Sequence, residues 1–199
     1  YYALSVSLGV FFIGEYHIMK HEGIRKLTVM AMLVAISVIL VYLVHFPLFP
    51  AAAFLEYDPA DIPILIGAFT FGPWAGLLLT VAASAIQALT VSAQSGVYGF
   101  LMHVISTSIL CITAGAIYRH KHTRKGAAIA LICGTLTMGV GMLIANHFIT
   151  PLFMGVPTAV VDGMLFSVIL PFNLLKAGIN SAITLLIYKT VSTHLIKRI

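Results

Sequence analysis

The sequence predicts an all-α integral membrane protein built as a six-helix transmembrane bundle. Of its 199 residues, 60% are hydrophobic and only 9% are charged, and the mean hydropathy is +1.06. Soluble domains do not normally have this composition. Proline, glycine and charged clusters divide the apolar sequence into pieces of roughly 17 to 25 residues, the length that a helix needs to cross a bilayer. The runs are continuous, whereas the strands of a membrane β-barrel alternate between apolar and polar residues.

Six helices are predicted from the apolar runs and the breaks between them. The second is too short to cross the bilayer alone. Either residues 51–59 enter the membrane beside it, or it is an oblique segment covered by its neighbours. Because only Gly72 separates the second helix from the third, the two should form a tight antiparallel hairpin. The predicted helices are 26–44, 61–71, 73–91, 98–118, 127–148 and 171–194.

The distribution of charge predicts the orientation of the bundle. Basic residues precede the first helix, join the fourth to the fifth and close the sixth, so all of them lie at one face. The positive-inside rule makes that face cytoplasmic, together with both termini of the bundle. The acidic residues Glu56, Asp58, Asp61 and Asp162 fall at the opposite face. Lys176, a few residues inside the last helix, is the exception among the basic residues.

Residues 1–24 form an extension before the bundle domain of residues 25–199. The first 13 residues are apolar but shorter than a span, and no cleavage-like pattern of small residues follows them. The extension can be an interfacial helix that is partly inserted, part of a further span, or a segment without a role. We expect a peripheral or partly inserted extension. Cys111 and Cys133 are expected to be small core residues, with no disulfide and no metal site.

No catalytic motif accompanies the apolar helices. The sequence has no phosphate-binding loop of the type Gly-x-x-x-x-Gly-Lys-Ser/Thr, no His-Glu-x-x-His and no Gly-x-Ser-x-Gly. We therefore expect a protein that is not an enzyme and has no resident cofactor, and any ATP-driven activity would need partner subunits. An intramembrane enzyme would need a nucleophile such as Ser106, Ser108 or Thr150 near His103 or His147, and no motif supports one.

Polar residues inside the predicted spans point to a binding site. Asn173, Lys176 and Asn180 share one face of the last helix, and Lys176 is costly there, by roughly 2.5 to 3.5 kcal/mol at the centre of a span. Bonds between helices are the alternative explanation for the amides. Lys176 needs a partner, which we expect to be an acid at the outer face such as Glu56, Asp61 or Asp162, a backbone carbonyl, or a bound molecule. The other polar residues at this depth are Gln87, His103 and Asn146.

The composition of this cluster limits the ligand. Carboxamides both donate and accept hydrogen bonds, and phenylalanines and tyrosines are frequent in the nearby outer loops. This set suits a flat heteroaromatic molecule, uncharged or weakly anionic, with amide-like edges and a hydroxylated tail. A multiply phosphorylated ligand would require more Arg and Lys. On the first helix, Ala31 and Ala35 form a step of small residues that lets another helix approach closely.

Five segments of the chain carry a family resemblance, and the last two are the most specific. In order, they are Ala31-x-x-x-Ala35, Phe54-Leu-Glu-Tyr-Asp58-Pro-Ala-Asp61-Ile-Pro63 with Phe71-Gly-Pro73, Gly115-Ala-Ile-Tyr118, Ala145-Asn146-His-Phe-Ile-Thr-Pro151-Leu-Phe153, and Pro171-Phe-Asn173-Leu-Leu-Lys176. On these segments, the chain from residue 25 onward resembles the riboflavin-specific substrate-binding subunits, or S components, of energy-coupling factor (ECF) vitamin transporters.

The resemblance implies a multi-pass protein of the cell membrane that captures riboflavin from outside. It implies that a transmembrane coupling subunit docks on the helix of Ala31 and Ala35, and that two ATPase subunits use the ATP; nucleic acid is not a partner. His103 departs from the asparagine expected in the fourth helix. An S component for another vitamin or a flavin analogue is the alternative. The implied or candidate substrate-binding residues are Leu55, Glu56, Tyr57, Gln87, His103, Asn146, Asn173 and Lys176.

Overall fold

The computed structural model describes residues 2–49 and 52–194, and the surroundings of side chains over 23–49, 52–187 and at residue 190. The chain divides into two compact units, Tyr1–Met32 and Leu33–Ile199. The first contains most of helix α1, Tyr2–Leu43, which begins far before the predicted start at residue 26. The expectation for residues 1–24 remains a prediction.

The second unit contains the other helices and one short β-hairpin. Strands β1 and β2 pair antiparallel between α1 and α2, and a 3-10 turn, Ala93–Ser95, precedes α4. The elements are β1 (Phe46–Pro47), β2 (Glu56–Tyr57), α2 (Asp61–Phe71), α3 (Pro73–Leu89), α4 (Gly96–His120), α5 (Arg124–Met154), α6 (Thr158–Met164), a π-helical turn (Leu165–Ile169) and α7 (Leu170–His194). Helix α4 packs against α3 and α5, and α7 packs against α5 and α2.

The predicted second helix, α2, has the expected bounds and is enclosed by protein. Its residues 61–69 are all buried, which favours the oblique, covered segment over the alternative in which 51–59 supports it. A helix that is apolar all round requires such a position. Gly72, with φ of +92°, forms the tight turn into α3. On α4, Gly115 lies so close to this turn that a Cβ atom there would be 3.1 Å from Pro73 Cα.

Four helices of the described chain are long and apolar enough to cross a membrane: Gly23–Leu43, Ala93–His120, Arg124–Met154 and Thr158–Ile187. Besides the start of α1, two differences from the prediction exceed a few residues. Helix α5 continues past residue 148 through Pro151, because a proline removes one backbone donor while the following residues keep their helical bonds. Residues 158–169, which were predicted as loop, are helical and lead directly into α7.

Candidate functional site

The described part of the chain contains an open cavity of about 150 Å³. It lies between the end of α3, the start of α4, the end of α5, the start of α7 and the segment around β2. The basic connection Arg119–Lys125 joins the other ends of α4 and α5. The cavity therefore opens at the end that the charge distribution predicts to face outward.

Lys176 is buried in the wall of this cavity and forms an ion pair. Its Nζ atom donates to Asp58 Oδ2 over 2.6 Å, and the two residues are 7% and 6% exposed. The sequence led us to expect an acid at the outer face such as Glu56, Asp61 or Asp162, a backbone carbonyl, or a bound molecule. The partner is an acid of that face, but it is Asp58 rather than one of the three named. Asp58 can reach Lys176 because it lies in the short segment between β2 and α2, which packs against the start of α7.

A second buried acid lies behind this pair. Asp61 accepts hydrogen bonds from Thr107 Oγ1 at 2.6 Å and from Asn180 Nδ2 at 2.9 Å. Asn180 Nδ2 also donates to the backbone oxygen of Asp58, and its Oδ1 accepts from the Tyr57 hydroxyl at 3.0 Å. Asn180 is fully buried and is not among the residues that line the cavity, so it connects the segment between β2 and α2 to α7.

Electrostatics keep Asp58 ionised. Burial raises the pKa of this carboxyl, but the charge of Lys176, the nearby His103 and the hydrogen bond from Lys176 outweigh the effect and hold the pKa below its usual range. The backbone N–H of Ala60 also donates to Asp58 Oδ1. For Tyr57, burial and then the charges of Asp58 and Asp61 raise the pKa of the hydroxyl, which therefore remains a hydrogen-bond donor.

Two asparagines complete this side of the cavity. Asn146 Nδ2 donates to Met142 O at 2.7 Å and its Oδ1 accepts from Thr150 at 2.8 Å. Asn173 Nδ2 donates to the backbone oxygen of Ile169, the last residue of the π-helical turn. An amide nitrogen carries two N–H groups, so each asparagine still has donor capacity. We call this set, Asp58, Asn146, Asn173 and Lys176, the paired wall.

The side of the cavity that α3 and α4 form has polar atoms without partners. Gln87 Nε2 and His103 Nε2 are buried and make no hydrogen bond within the described chain. His103 Nδ1 lies 2.8 Å from Ser84 Oγ, while its Nε2 is 3.8 Å from Asp58 Oδ1. Since a buried donor without a partner costs about 1 to 3 kcal/mol, such atoms are suited to contact a ligand. We call Ser84, Gln87 and His103 the open wall.

Of the three substrate-binding residues predicted around β2, two line the cavity. Leu55 and Glu56 line the cavity, and Glu56 Oε2 is 2.7 Å from His45 Nε2. Tyr57 is absent from the lining and bonds to Asn180 instead. Leu55 belongs to an apolar cluster at this end, together with Ala52, Val161, Ile169 and Phe172. This cluster packs the segment before β2 against α6 and the start of α7.

The structure therefore brings seven of the eight predicted substrate-binding residues together around one cavity: Leu55, Glu56, Gln87, His103, Asn146, Asn173 and Lys176. Asp58 was not predicted among them. The sequence did contain a signal that could have identified it. Asp58 lies two residues after Glu56 and just before the start of α2. Among the described residues, no group of three or more His, Cys, Asp or Glu side chains has metal-binding geometry. The arrangement offers hydrogen-bond donors and acceptors from four helices to a ligand.

The proposed docking residues of the first helix are accessible. Ala31 and Ala35 are both exposed, as are several large apolar residues of the same helix, including Met32, Ile36 and Ile39. Exposed apolar side chains are expected on a surface that faces lipid or another membrane helix. Their role as a contact for a partner stays a prediction.

Comparisons with known proteins agree on one family. A family model described as the substrate-specific component of ECF transporters matches residues 25–188. The riboflavin transporter RibU of Staphylococcus aureus is 30% identical over 88% of this chain and 94% of its own length. RibU of Streptococcus thermophilus is 28% identical over 99% and 98%, and the riboflavin transporter FmnP of Bacillus subtilis is 28% identical over 83% and 90%.

A solved structure agrees with the sequence relatives. The S component of a bacterial ECF transporter superposes with a TM-score of 0.74 and 27% identity, over 86% of this chain and 97% of that chain. The six-helix bundle predicted from the sequence is confirmed. The protein is thus an integral protein of the cell membrane and a transporter component, not an enzyme, and an ECF energising module is its implied partner. The chain belongs to the substrate-specific components of ECF transporters.

Proposed function

We propose that this protein captures riboflavin from outside the cell, as the specificity subunit of an ATP-driven ECF importer. The observation that carries the proposal is the convergence of amide, ammonium and imidazole groups from α3, α4, α5 and α7 on one cavity at the outer end. The relatives described as riboflavin transporters support the same substrate.

The chemistry of the paired wall suits the polar edge of a flavin. That edge alternates carbonyl oxygens with a ring N–H, so it needs partners that both donate and accept. Asn146 and Asn173 provide amides of this kind, and Lys176 provides further N–H donors. These three residues lie on neighbouring helices that pack against each other, α5 and α7. We infer that they hold the ring.

The remaining lining suits the rest of the ligand. Tyr98 and Phe153 lie with ring centroids 6.2 Å apart, and Met138 and Met142 line the same cavity, so a flat apolar ring has surfaces to contact. Hydroxyl and amide groups of the open wall, with Ser92 and Ser95 nearby, provide partners for a ribityl chain. Leu55 and Glu56 would close over the bound molecule.

The decisive experiment is a titration of the purified full chain with riboflavin. Binding is measured by the quenching of flavin fluorescence. We expect saturation at one riboflavin per chain, and yellow protein from cells grown with riboflavin. Asp162→Asn is a matched control, because this exposed residue pairs with His147 and does not line the cavity. Colourless protein that does not quench riboflavin would refute the proposal, and binding of a different vitamin in the same assay would replace it.

The partner contact is tested separately. Ala31→Trp combined with Ala35→Trp should prevent co-purification with the coupling subunit and its ATPases while riboflavin binding is retained, because two bulky side chains block close helix approach. Ala82→Trp changes an exposed alanine of α3 and is the control. Normal assembly of the double variant would refute docking on α1.

A further inference from the structure

A strongly basic surface lies at the ends of α4 and α5 that are remote from the cavity. It is formed by the turn that joins these two helices, residues 119–125, which we call the basic connection. Every residue of this turn is exposed, and all of them except Thr123 carry a basic side chain. The basic residues are Arg119, His120, Lys121, His122, Arg124 and Lys125.

No acid of the described chain balances this charge. The acidic side chains that the structure describes all lie at the other end of the bundle, and each already has a partner there. The pairs are Glu56 with His45, Asp58 with Lys176, Asp61 with Thr107 and Asp162 with His147. Within the described residues, no carboxylate lies at ion-pair distance from a Lys or Arg of the basic connection.

The backbone of the basic connection has a fixed shape. The N–H of Lys121 donates to Tyr118 O at 3.0 Å, and the N–H of Gly126 donates to Thr123 Oγ1 at 3.0 Å. A Cβ atom on Gly126 would collide with the backbone oxygen of Lys121. The ring of His122 contacts the buried ring of Tyr118, with centroids 5.0 Å apart. The basic side chains therefore project from a turn that is anchored to the bundle.

Two of the basic side chains occupy an unfavourable place. Arg124 and Lys125 lie in the first turn of α5, which contains no acidic residue. The dipole of a helix opposes positive charge at this end, by about 0.3 to 1 kcal/mol for each exposed side chain. A negative group outside the chain would offset this cost.

We propose that the basic connection binds the headgroups of anionic phospholipids in the inner leaflet of the membrane. The position of the turn identifies this partner. It joins two helices that are long and apolar enough to span the bilayer, Ala93–His120 and Arg124–Met154, so it lies at the level of the headgroups. Its end of the bundle is the one that the charge distribution predicts to face the cytoplasm.

The number of charges is sufficient for such binding. Clusters of four or more Lys and Arg next to the cytoplasmic end of a span attract anionic lipids, by about 1 kcal/mol for each residue near the surface. Four residues of the basic connection are Lys or Arg. The inference is independent of the ligand that the cavity holds, because it concerns the other end of the helices.

Trp74 provides a natural reporter for the test. It is the one tryptophan of the sequence and is 73% exposed. It follows Pro73, which packs against Gly115 of α4, and Gly115 lies about one helical turn before Arg119. Lipids that gather at the basic connection should therefore contact the Trp74 ring.

The full chain is reconstituted into vesicles of phosphatidylcholine and phosphatidylglycerol. Either one lipid or the other carries bromine atoms on its acyl chains, which quench tryptophan fluorescence on contact. At equal mole fractions, brominated phosphatidylglycerol should quench Trp74 more strongly, by a local enrichment of about threefold or more. High salt should reduce the enrichment, because it screens exposed charges. Equal quenching by the two lipids would overturn the inference.

Variants assign the effect to the basic connection. Arg119→Gln, Lys121→Gln, Arg124→Gln and Lys125→Gln combined should abolish the enrichment. The control is Arg119→Lys with Arg124→Lys, which keeps the charge and should keep the enrichment. Circular dichroism checks that each variant is folded. If the fourfold variant does not fold, Arg124→Gln with Lys125→Gln should lower the enrichment by about half.

Two further outcomes would also overturn the inference. An enrichment that persists in the glutamine variants would place the lipid preference elsewhere on the protein. Equal quenching by the two lipids in the wild-type chain, with ATPase subunits that no longer co-purify with the glutamine variants, would assign the basic connection to a protein partner instead.

Discussion

The two walls of the cavity differ in how far their polar groups are satisfied within the protein. On the paired wall, Lys176 has a carboxylate partner, and each asparagine donates to the backbone oxygen four residues before it. On the open wall, Gln87 Nε2 and His103 Nε2 are buried without partners. The paired wall should therefore contribute to the stability of the empty protein as well as to affinity, and the open wall mainly to affinity.

The largest effect should come from breaking the ion pair. Lys176→Ala leaves Asp58 buried and uncompensated, which should cost about 3 to 5 kcal/mol of folding free energy. Because Lys176 is paired with Asp58, its removal should not spare the fold. Thermal unfolding in detergent without ligand measures the loss. The variant Asp58→Asn with Lys176→Met removes both charges and is the control; a single variant as stable as the double one would contradict the prediction.

The asparagines of the paired wall should have the next largest effect, on affinity. Asn173→Ala or Asn146→Ala should weaken riboflavin binding by about 1 to 3 kcal/mol, since flavin groups would lose a hydrogen-bond partner within a buried site. Asn180→Ala is a suitable comparison, because Asn180 is buried outside the lining and should cost stability instead. Equal losses of affinity in Asn173→Ala and Asn180→Ala would contradict a direct contact between Asn173 and the flavin ring.

Gln87 tests the open wall. Gln87→Ala removes a buried amide nitrogen that has no partner, so the empty protein should be no less stable, while affinity for riboflavin should fall about tenfold. Melting temperature and Kd are measured on the same preparation. Ala82→Gly, at an exposed position of α3 outside the cavity lining, controls for a change in the helix itself. A lower melting temperature with an unchanged Kd would assign Gln87 to packing rather than to binding.

The smallest effect is expected at Tyr57. Tyr57→Phe removes the bond to Asn180 and keeps the ring against Phe46, whose centroid is 5.5 Å away. The cost should be about 1 kcal/mol of stability, with a change in riboflavin affinity of less than about threefold. Denaturation and titration check both values. A large loss of affinity would indicate that Tyr57 reaches the ligand, as the resemblance to the family implies.

Much of the fold follows from local patterns. Continuous apolar runs fix the membrane class, because the bilayer requires helices with internally satisfied backbones, and Gly72 with Pro73 defines the hairpin of α2 and α3. The helical segment 158–169 was missed. Its pieces, α6 and the π-helical turn, are 7 and 5 residues long, too short for periodicity to identify. They are stabilised by contacts such as those of Val161 and Ile169 with Leu55 and Phe172.

The sequence by itself determined the membrane class, the orientation expected from charge and the helices that carry polar groups at one depth. Helical spacing and hydropathy act locally along the chain, so they are readable without tertiary structure. Only the tertiary structure decided that Lys176 pairs with Asp58, 118 positions away along the chain. It also decided that Gln87 and His103 are left with unpaired nitrogens beside the same cavity. Pairing between distant side chains depends on how helices cross, and that geometry is set by packing of the whole bundle.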